Sequence, residues 1–265
     1  MKKIFDDGPV YDTDIEKAIG KAGVKRGDTL FVHSQLYSFG RLGEVKTKEE
    51  LVSAFVDALV KNVGDGTIIV PTFTFSFCKT GVYDSEKTPS EAGLLSEIFR
   101  KKNDVVRSAH PIYSVAVLGK DKDYFLGADT RTCFGEDGIF GRVHKKDVKI
   151  VFIGIGAEGL SQIHYVEELL KVPYRYMKKF IGKADNRPVE VEFYVRDLEH
   201  NAELDMKGKF AAFCEEKKIL KTVSLGNSSI SAVREKVMHE KIMEAMTANP
   251  CAFLKRPYKA ETTRE

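Results

Sequence analysis

The chain has 265 residues, 43% hydrophobic and 31% charged, with a formal net charge of +3. That length can bury a sizeable core without staples, and the composition is that of an ordinary globular protein. The mild charge, without an arginine stripe or a basic block interleaved with aromatics, argues against nucleic acid as a partner. No apolar run approaches the roughly 20 residues that span a bilayer, and the basic start Met1-Lys2-Lys3 has no apolar signal region behind it. Cys78, Cys133, Cys214 and Cys251 are scattered, with no CxxC or CxH pair. They argue against a zinc ribbon or disulfide scaffold and suit a reducing, cytoplasmic setting.

In chain order, helices and strands alternate. Asp12 to Ala22 has helical periodicity, with Asp14 and Glu16 near its N-terminus. Thr29 to His33 reads as a buried strand after the Gly27-Asp28 turn. Thr47 caps a helix to about Asn62, and Glu50 completes a capping box. Thr67 to Val70 is a second strand, which Pro71 ends. Ser90 to Arg100 is expected as a helix, Ser114 to Leu118 as a strand, Lys149 to Ile155 as the most apolar strand, and Gln162 to Leu170 as a helix. Val189 to Val195 alternates, as an antiparallel strand with one wet face does. Asp205 to Lys217 looks helical. Ser231 to Thr247 reads as a final helix with Ser231 as N-cap and an apolar stripe of Val233, Val237, Ile242 and Met246; Met238, Met243 and Met246 read as packing residues. No repeat or low-complexity linker divides the chain, so 1–265 is expected as one α/β domain with a small antiparallel C-terminal elaboration.

Three of the six histidines lie in blocks that suit chemistry: Val32-His33-Ser34-Gln35, Arg107-Ser108-Ala109-His110-Pro111 and Ile163-His164-Tyr165-Val166-Glu167. Imidazole titrates near neutrality, and on a helix Glu167 shares a face with His164, three residues away. A helix begun by Ser161 would set His164 in its first turn, where the N-terminus favours neutral imidazole. His164 with Glu167 is therefore a candidate general base, and His110 a second catalytic candidate. Arg107 and Ser108 suit an anion or oxyanion, and Ser34 and Ser114 offer hydroxyl donors. His33, at the carboxyl end of a strand, stands where α/β sheets gather ligands. His144, His200 and His239 have no such setting and read as surface residues. A metalloprotease site is excluded by the lack of a second histidine four residues from His164, and no metal is expected.

Gly154-Ile155-Gly156-Ala157-Glu158-Gly159 matches the dinucleotide fingerprint and follows a strand. It raises the alternative of an NAD(P)-dependent oxidoreductase. That alternative lacks the acid-ended second strand about 20 residues on that holds the ribose: the chain continues Val172-Pro173-Tyr174-Arg175-Tyr176-Met177-Lys178-Lys179.

The ordered blocks resemble the aminoglycoside 3-N-acetyltransferase (antibiotic N-acetyltransferase) family. They are Gly27-Asp28-Thr29-Leu30-Phe31-Val32-His33-Ser34, Gly66-Thr67-Ile68-Ile69-Val70-Pro71-Thr72-Phe73-Thr74, Thr88-Pro89, and Gly93-Leu94-Leu95-Ser96-Glu97-Ile98-Phe99-Arg100. Then come Arg107 to Pro111 with Ser114, Phe134-Gly135-Glu136 with Gly141-Arg142, Ile163 to Glu167, and Asn249-Pro250-Cys251-Ala252-Phe253-Leu254. The resemblance implies a three-layer α/β/α sandwich and an acetyl-CoA-dependent N-acetyltransferase acting on an amino sugar. It implies His164 as base supported by Glu167, and coenzyme near His33 to Gln35, Thr72-Phe73 and Arg107 to His110, with Ser114 alongside. Direct transfer in a ternary complex is expected; Cys78 is a weak candidate for a covalent carrier because the sequence gives it no activating partner. The expected partners are a small-molecule amine and coenzyme A, and a homodimer is left open. One departure bears on the acceptor. Resistance enzymes of the family commonly carry a longer, acid-rich segment after the Pro-Thr-Phe-Thr block, whereas Ser76 to Lys87 is short and its acids Asp84 and Glu86 are matched by Lys79 and Lys87. The expected acceptor is therefore less cationic than an aminoglycoside, such as a nucleotide-linked amino sugar.

Overall fold

The computed structural model describes residues 1–258. Its elements in chain order are β1 Lys3–Phe5, β2 Val10–Tyr11, α1 Asp12–Lys21, β3 Thr29–Ser34, α2 Lys48–Val63, β4 Thr67–Pro71, α3 Phe77–Thr80, β5 Val82–Tyr83, α4 Leu94–Phe99, β6 Val106–Arg107 and β7 Val115–Gly119. They continue as α5 Lys122–Leu126, α6 Ile139–Lys146, β8 Lys149–Ile153, α7 Ile163–Leu169, β9 Arg175–Ala184, β10 Arg187–Arg196, α8 Ala211–Glu216, β11 Lys221–Leu225, β12 Ser228–Arg234 and α9 Glu235–Ala248.

The principal sheet is mixed and seven-stranded, in the order β11-β12-β8-β3-β4-β7-β6. Only the central strands run parallel: β3 pairs in parallel with both β4 and β8, while β12 and β7 meet those flanks antiparallel. Alternate residues of each central strand feed opposite faces, as the period-2 geometry of a strand requires. Leu30 and Val32 join the cluster built with α1, α2 and α4; Phe31 joins the cluster on the opposite face, which contains Phe140 of α6. Ile150 and Phe152 of β8 pack with Ile163 and Val166 of α7 and Met238, Ile242 and Met246 of α9. Helices thus cover both faces, and the strands between them read as continuous apolar runs. No helix among the described residues is long and apolar enough to cross a membrane.

The local signals act as chemistry predicts in most places and are overridden in a few. Thr47 Oγ1 accepts from the Glu50 N–H at 3.1 Å, capping α2. Glu50 does not return the bond to Thr47. Its carboxylate accepts from the Lys46 N–H at 3.1 Å and from Lys2 at 2.8 Å, so the box is half-formed. The helix expected from Ser90 starts at Leu94, because Gly93 sits at φ +112°, outside helical space. The expected final helix is corrected at its front. Ser231 caps nothing; it lies in β12 opposite Phe152 of β8. The helix begins at Glu235, Val233 belongs to the strand, and Val237 is exposed. The buried stripe is Met238, Ile242 and Met246, with Met243 packed at its margin.

The antiparallel elaboration also differs from expectation. Val189 to Val195 does lie in an antiparallel strand, but its partner is β9, which carries the segment from Arg175 that showed no strand pattern. With β5 they make a separate three-stranded sheet in mid-chain. The antiparallel pair nearer the C-terminus, β11 and β12, is incorporated into the principal sheet instead.

Candidate active site

The ends of β3 and β4 and the segment between β8 and α7 line one cavity, and His164 at the start of α7 lines another. His164 lies in the first turn of α7, its N–H bonded to the Ser161 carbonyl at 3.2 Å. Ser161 does not supply a side-chain cap; its Oγ is buried without a protein partner. His164 Nδ1 stands 2.6 Å from Glu167 Oε2, and Glu167 is fully buried. Tyr174 donates its hydroxyl to Glu167 Oε1 at 2.9 Å. Arg175, at the head of β9, sets Nε 2.8 Å from Glu167 Oε2 and NH2 2.9 Å from His164 Nδ1. One ring nitrogen cannot both donate to the carboxylate and accept from the guanidinium. The shorter contact to an ionised acceptor decides the tautomer: Nδ1–H donates to Glu167, and Arg175 stands beside it as a charge. The ring's other nitrogen, Nε2, then carries a lone pair and has no bond to any described residue.

Burial lowers the pKa of His164, Arg175 lowers it further, and Glu167 partly offsets both. Burial and a neighbouring cation both favour the neutral ring. Burial would raise the Glu167 pKa, but His164 and Arg175 outweigh it and hold the carboxyl below its usual range. A buried carboxylate that accepts from a phenol and lies against a guanidinium is an anchor for the imidazole.

His164 forms part of the wall of an open cavity of about 540 Å³, together with Phe75, Tyr113, Arg175, Arg196 and Met206. A second, smaller cavity of about 180 Å³ lies at the ends of β3 and β4, against His33, Ser34, Phe73, Ser96, Ile155 and Ser161. The Phe73 ring packs on Tyr113 at 4.8 Å and Phe75 at 6.0 Å, so one aromatic cluster borders both cavities. His33 is sandwiched between Phe152, stacked at 5.6 Å, and the edge of Phe31 at 5.0 Å. Burial drives its pKa down to about 3, and its Nε2 is buried with no protein partner.

The other sequence candidates are placed differently. His110 is buried, its Nδ1 accepts from the N–H groups of Ile112 and Tyr113 at 3.1 and 3.0 Å, and its Nε2 lies 3.3 Å from Cys133 Sγ. With both nitrogens engaged and burial lowering the pKa to about 4, this ring organises the 110–113 turn and has no free lone pair. Thr72, Arg107, Ser108 and Ser114 form an interlocked network. Arg107 Nε donates toward Thr72 Oγ1 and Ser114 Oγ at 3.2 and 3.1 Å, NH1 to the Thr88 carbonyl at 2.5 Å, and NH2 to the Thr72 carbonyl at 2.6 Å. Ser108 Oγ accepts from the Val115 N–H at 3.0 Å, and Ser114 Oγ donates to the Thr72 carbonyl at 2.7 Å. All three guanidinium nitrogens serve protein acceptors, so the anion site expected at Arg107 and Ser108 is instead a clamp joining β4, β6 and β7. Ser114 is fully buried and is not an exposed donor. Ser34 and Gln35 remain half-buried at the mouth, where the Gln35 N–H bonds the Ile153 carbonyl at 2.8 Å.

The glycine-rich turn is not part of a dinucleotide-binding unit. Gly154 adopts φ +69°, and a Cβ there would stand 2.5 Å from the Gln35 carbonyl and the Ser38 hydroxyl. Ala157–Gly159 is a single 3₁₀ turn, and after α7 the chain enters the antiparallel β9–β10 hairpin, so the βαβ unit of a dinucleotide site is absent. Tyr174, Arg175 and the aromatic pair Phe75 and Tyr113 were not legible as site residues: they come from separate loops and strands with no shared spacing.

Comparison with known proteins bears on family and fold. Residues 31–247 match the family profile described as aminoglycoside 3-N-acetyltransferase. Aminoglycoside N(3)-acetyltransferase IV of Salmonella is 24% identical over 242 residues, covering 89% of this chain and 87% of the relative. The SPbeta prophage-derived aminoglycoside N(3')-acetyltransferase-like protein YokD of Bacillus subtilis is 25% identical over 217 residues, covering 72% and 75% of the two chains. In fold, the chain superposes on AAC-IIIb, solved as a binary complex with CoASH, with a TM-score of 0.74 at 17% identity, covering 93% of this chain and 98% of that one. The chain belongs to the aminoglycoside 3-N-acetyltransferase family, enzymes that transfer an acetyl group from the co-substrate acetyl-CoA to an amine.

Proposed function

We propose that His164 is the general base for transfer of acetyl from acetyl-CoA to the amine of an anionic amino sugar, such as a nucleotide-linked one. The observation that carries the base assignment is the asymmetry of the ring: Nδ1 tied to buried Glu167 at 2.6 Å, Nε2 unbonded beside a cavity. The neutral amine attacks the thioester carbonyl and loses a proton to Nε2, directly or through one water. The tetrahedral oxyanion then collapses, the C–S bond breaks, and the proton passes from His164 to the departing thiolate, giving amide and CoASH. Glu167 fixes the tautomer and stabilises the transient imidazolium, and Arg175 keeps the carboxylate ionised. No covalent carrier is needed: burial raises the pKa of Cys78, and the Cys133 thiol is pushed well up, so neither is an activated thiolate.

The cavity along His33, Ser34, Phe73 and Ser161 suits the thioester arm. The buried, unpartnered His33 Nε2 and Ser161 Oγ are polar groups that a pantetheine amide can satisfy. Ser34 adds a half-buried hydroxyl to the wall of that cavity. His110, Thr72, Arg107, Ser108 and Ser114 act as the frame that holds it.

The acceptor reading rests on charge. Arg196 borders the His164 cavity beside Arg175, which pairs with buried Glu167, and the one acid among the cavity's described lining residues, Glu203, is paired with Lys255 at 2.6 Å. In the short segment after β4, Asp84 accepts from the N–H groups of its own turn at Glu86 and Lys87. This rim repels a polycation and attracts a phosphate-bearing acceptor. Thiol release from acetyl-CoA over a panel of amines tests it: nucleotide-linked amino sugars should turn over at least about tenfold faster in kcat/KM than gentamicin-type aminoglycosides, and equal or reversed rates would reject the acceptor assignment.

A further inference from the structure

Behind the His164 helix lies a second cluster that this chemistry does not use. His144 closes α6, and Glu235 and His239 lie on α9 one helical turn apart, so their side chains share a face. One donor atom from each lies within 4.8 Å of the other two. His144 Nδ1 stands 2.8 Å from Glu235 Oε2, and His239 Nδ1 stands 3.8 Å from Glu235 Oε1. The two imidazole rings are 4.2 Å apart, and Tyr165 of α7 packs against both at 5.5 and 5.8 Å.

As a purely organic cluster this arrangement is poorly satisfied. Glu235 is fully buried, yet among the described residues no lysine or arginine pairs with it. His239 Nδ1 is buried and accepts or donates no bond. A buried carboxylate flanked by two imidazoles is a set of three metal donors. Gln162 Nε2 donates to Glu235 Oε1 at 3.0 Å and to the Phe140 carbonyl at 2.9 Å, which orients the carboxylate as outer-sphere partners of metal ligands do.

We propose that His144, Glu235 and His239 bind one divalent transition-metal ion of the zinc type, with water or Tyr165 as a fourth donor. Tetrahedral zinc with ligand distances near 2.0–2.1 Å sets its donors roughly 3.3 Å apart, so side-chain shifts of about an ångström complete the site. The ion would be structural. It would pin α6, α7 and α9 together, with Gln162, the residue just ahead of the His164 helix, bonded to its carboxylate ligand. The sequence concealed it because His144 is 91 residues from Glu235, and His144 and His239 read as surface residues.

The test uses full-length protein stripped with chelator, dialysed and titrated with ZnCl₂ or CoCl₂. About one equivalent should be retained per chain by elemental analysis. Cobalt should give the visible d–d absorption of a four-coordinate site, and zinc at a hundredfold excess over its Kd should raise Tm by roughly 5 °C. His239→Ala and Glu235→Gln should lose the equivalent, while His164→Ala and His200→Ala keep it. Wild-type protein that retains no metal and shows no Tm shift overturns the proposal whether or not the variants fold. So does an equivalent that survives His239→Ala, or one that His164→Ala removes.

Discussion

An imidazole serves as a base only if it is neutral and one nitrogen is free, and the three histidines singled out by sequence divide on that criterion. His110 is neutral but bonded at both nitrogens. His33 is neutral and free at Nε2, but lies between two aromatic rings with its pKa near 3, too weak a base for an amine. His164 alone joins a free nitrogen to a buried carboxylate. The sign of the Glu167 effect makes a testable statement. Its charge raises the His164 pKa against burial and Arg175. Glu167→Gln removes that support, so the His164 pKa falls further. The acid limb of kcat/KM, corrected for the acceptor's own amine, should move to lower pH, while kcat falls about ten- to hundredfold as the base weakens and loses its anchor. A limb that stays in place or moves up would show that Glu167 does not act through His164.

At the scale of elements, the strongest patterns were legible and the overridden ones have identifiable causes. Strands β3, β4 and β8 announce themselves as apolar runs because helices bury both their faces. The same property hid β12: Ile230, Ala232 and Val233 form a short apolar run before a real helix, and periodicity alone cannot separate the two. The β9 strand was invisible because most of its side chains are solvated, so nothing alternates. The His164–Glu167 pair was readable from a three-residue spacing within one helix. Arg175, which sets their charge state, arrives from the next strand and was not. The glycine-rich turn was legible as a sharp turn but not as to purpose. Gly154 is required because it packs on the loop after β3, which leads Ser34 and Gln35 to the cavity mouth. Gly154→Ala should therefore combine left-handed backbone strain with a clash against the Gln35 carbonyl, destabilising the fold by more than about 1 kcal/mol. A Tm lower by several degrees would show this; an unchanged Tm would mean that the turn is not under that constraint.

At the scale of the whole molecule, buried neutral histidines link stability to pH. His33 and His110 have folded pKa values near 3 and 4, below the roughly 6.5 of an unfolded histidine. Between those limits the unfolded chain binds more protons, so stability is intact above about pH 6.5 and declines as pH falls. Each contributes a slope of up to about 1.4 kcal/mol per pH unit in its window. Tm measured from pH 7 to pH 4 should fall, and His33→Phe, a ring of similar shape without the titrating nitrogen, should flatten the fall. An identical slope in the variant would contradict the account.

The central claim is tested most directly by single-turnover acetyl transfer in His164→Ala, with acetyl-CoA and an amine acceptor both saturating. Loss of the base should lower the transfer rate by at least about a hundredfold while leaving coenzyme binding within a few-fold of wild type. A transfer rate close to wild type would contradict it, and the proton would have to leave the amine by a route that does not pass through this imidazole.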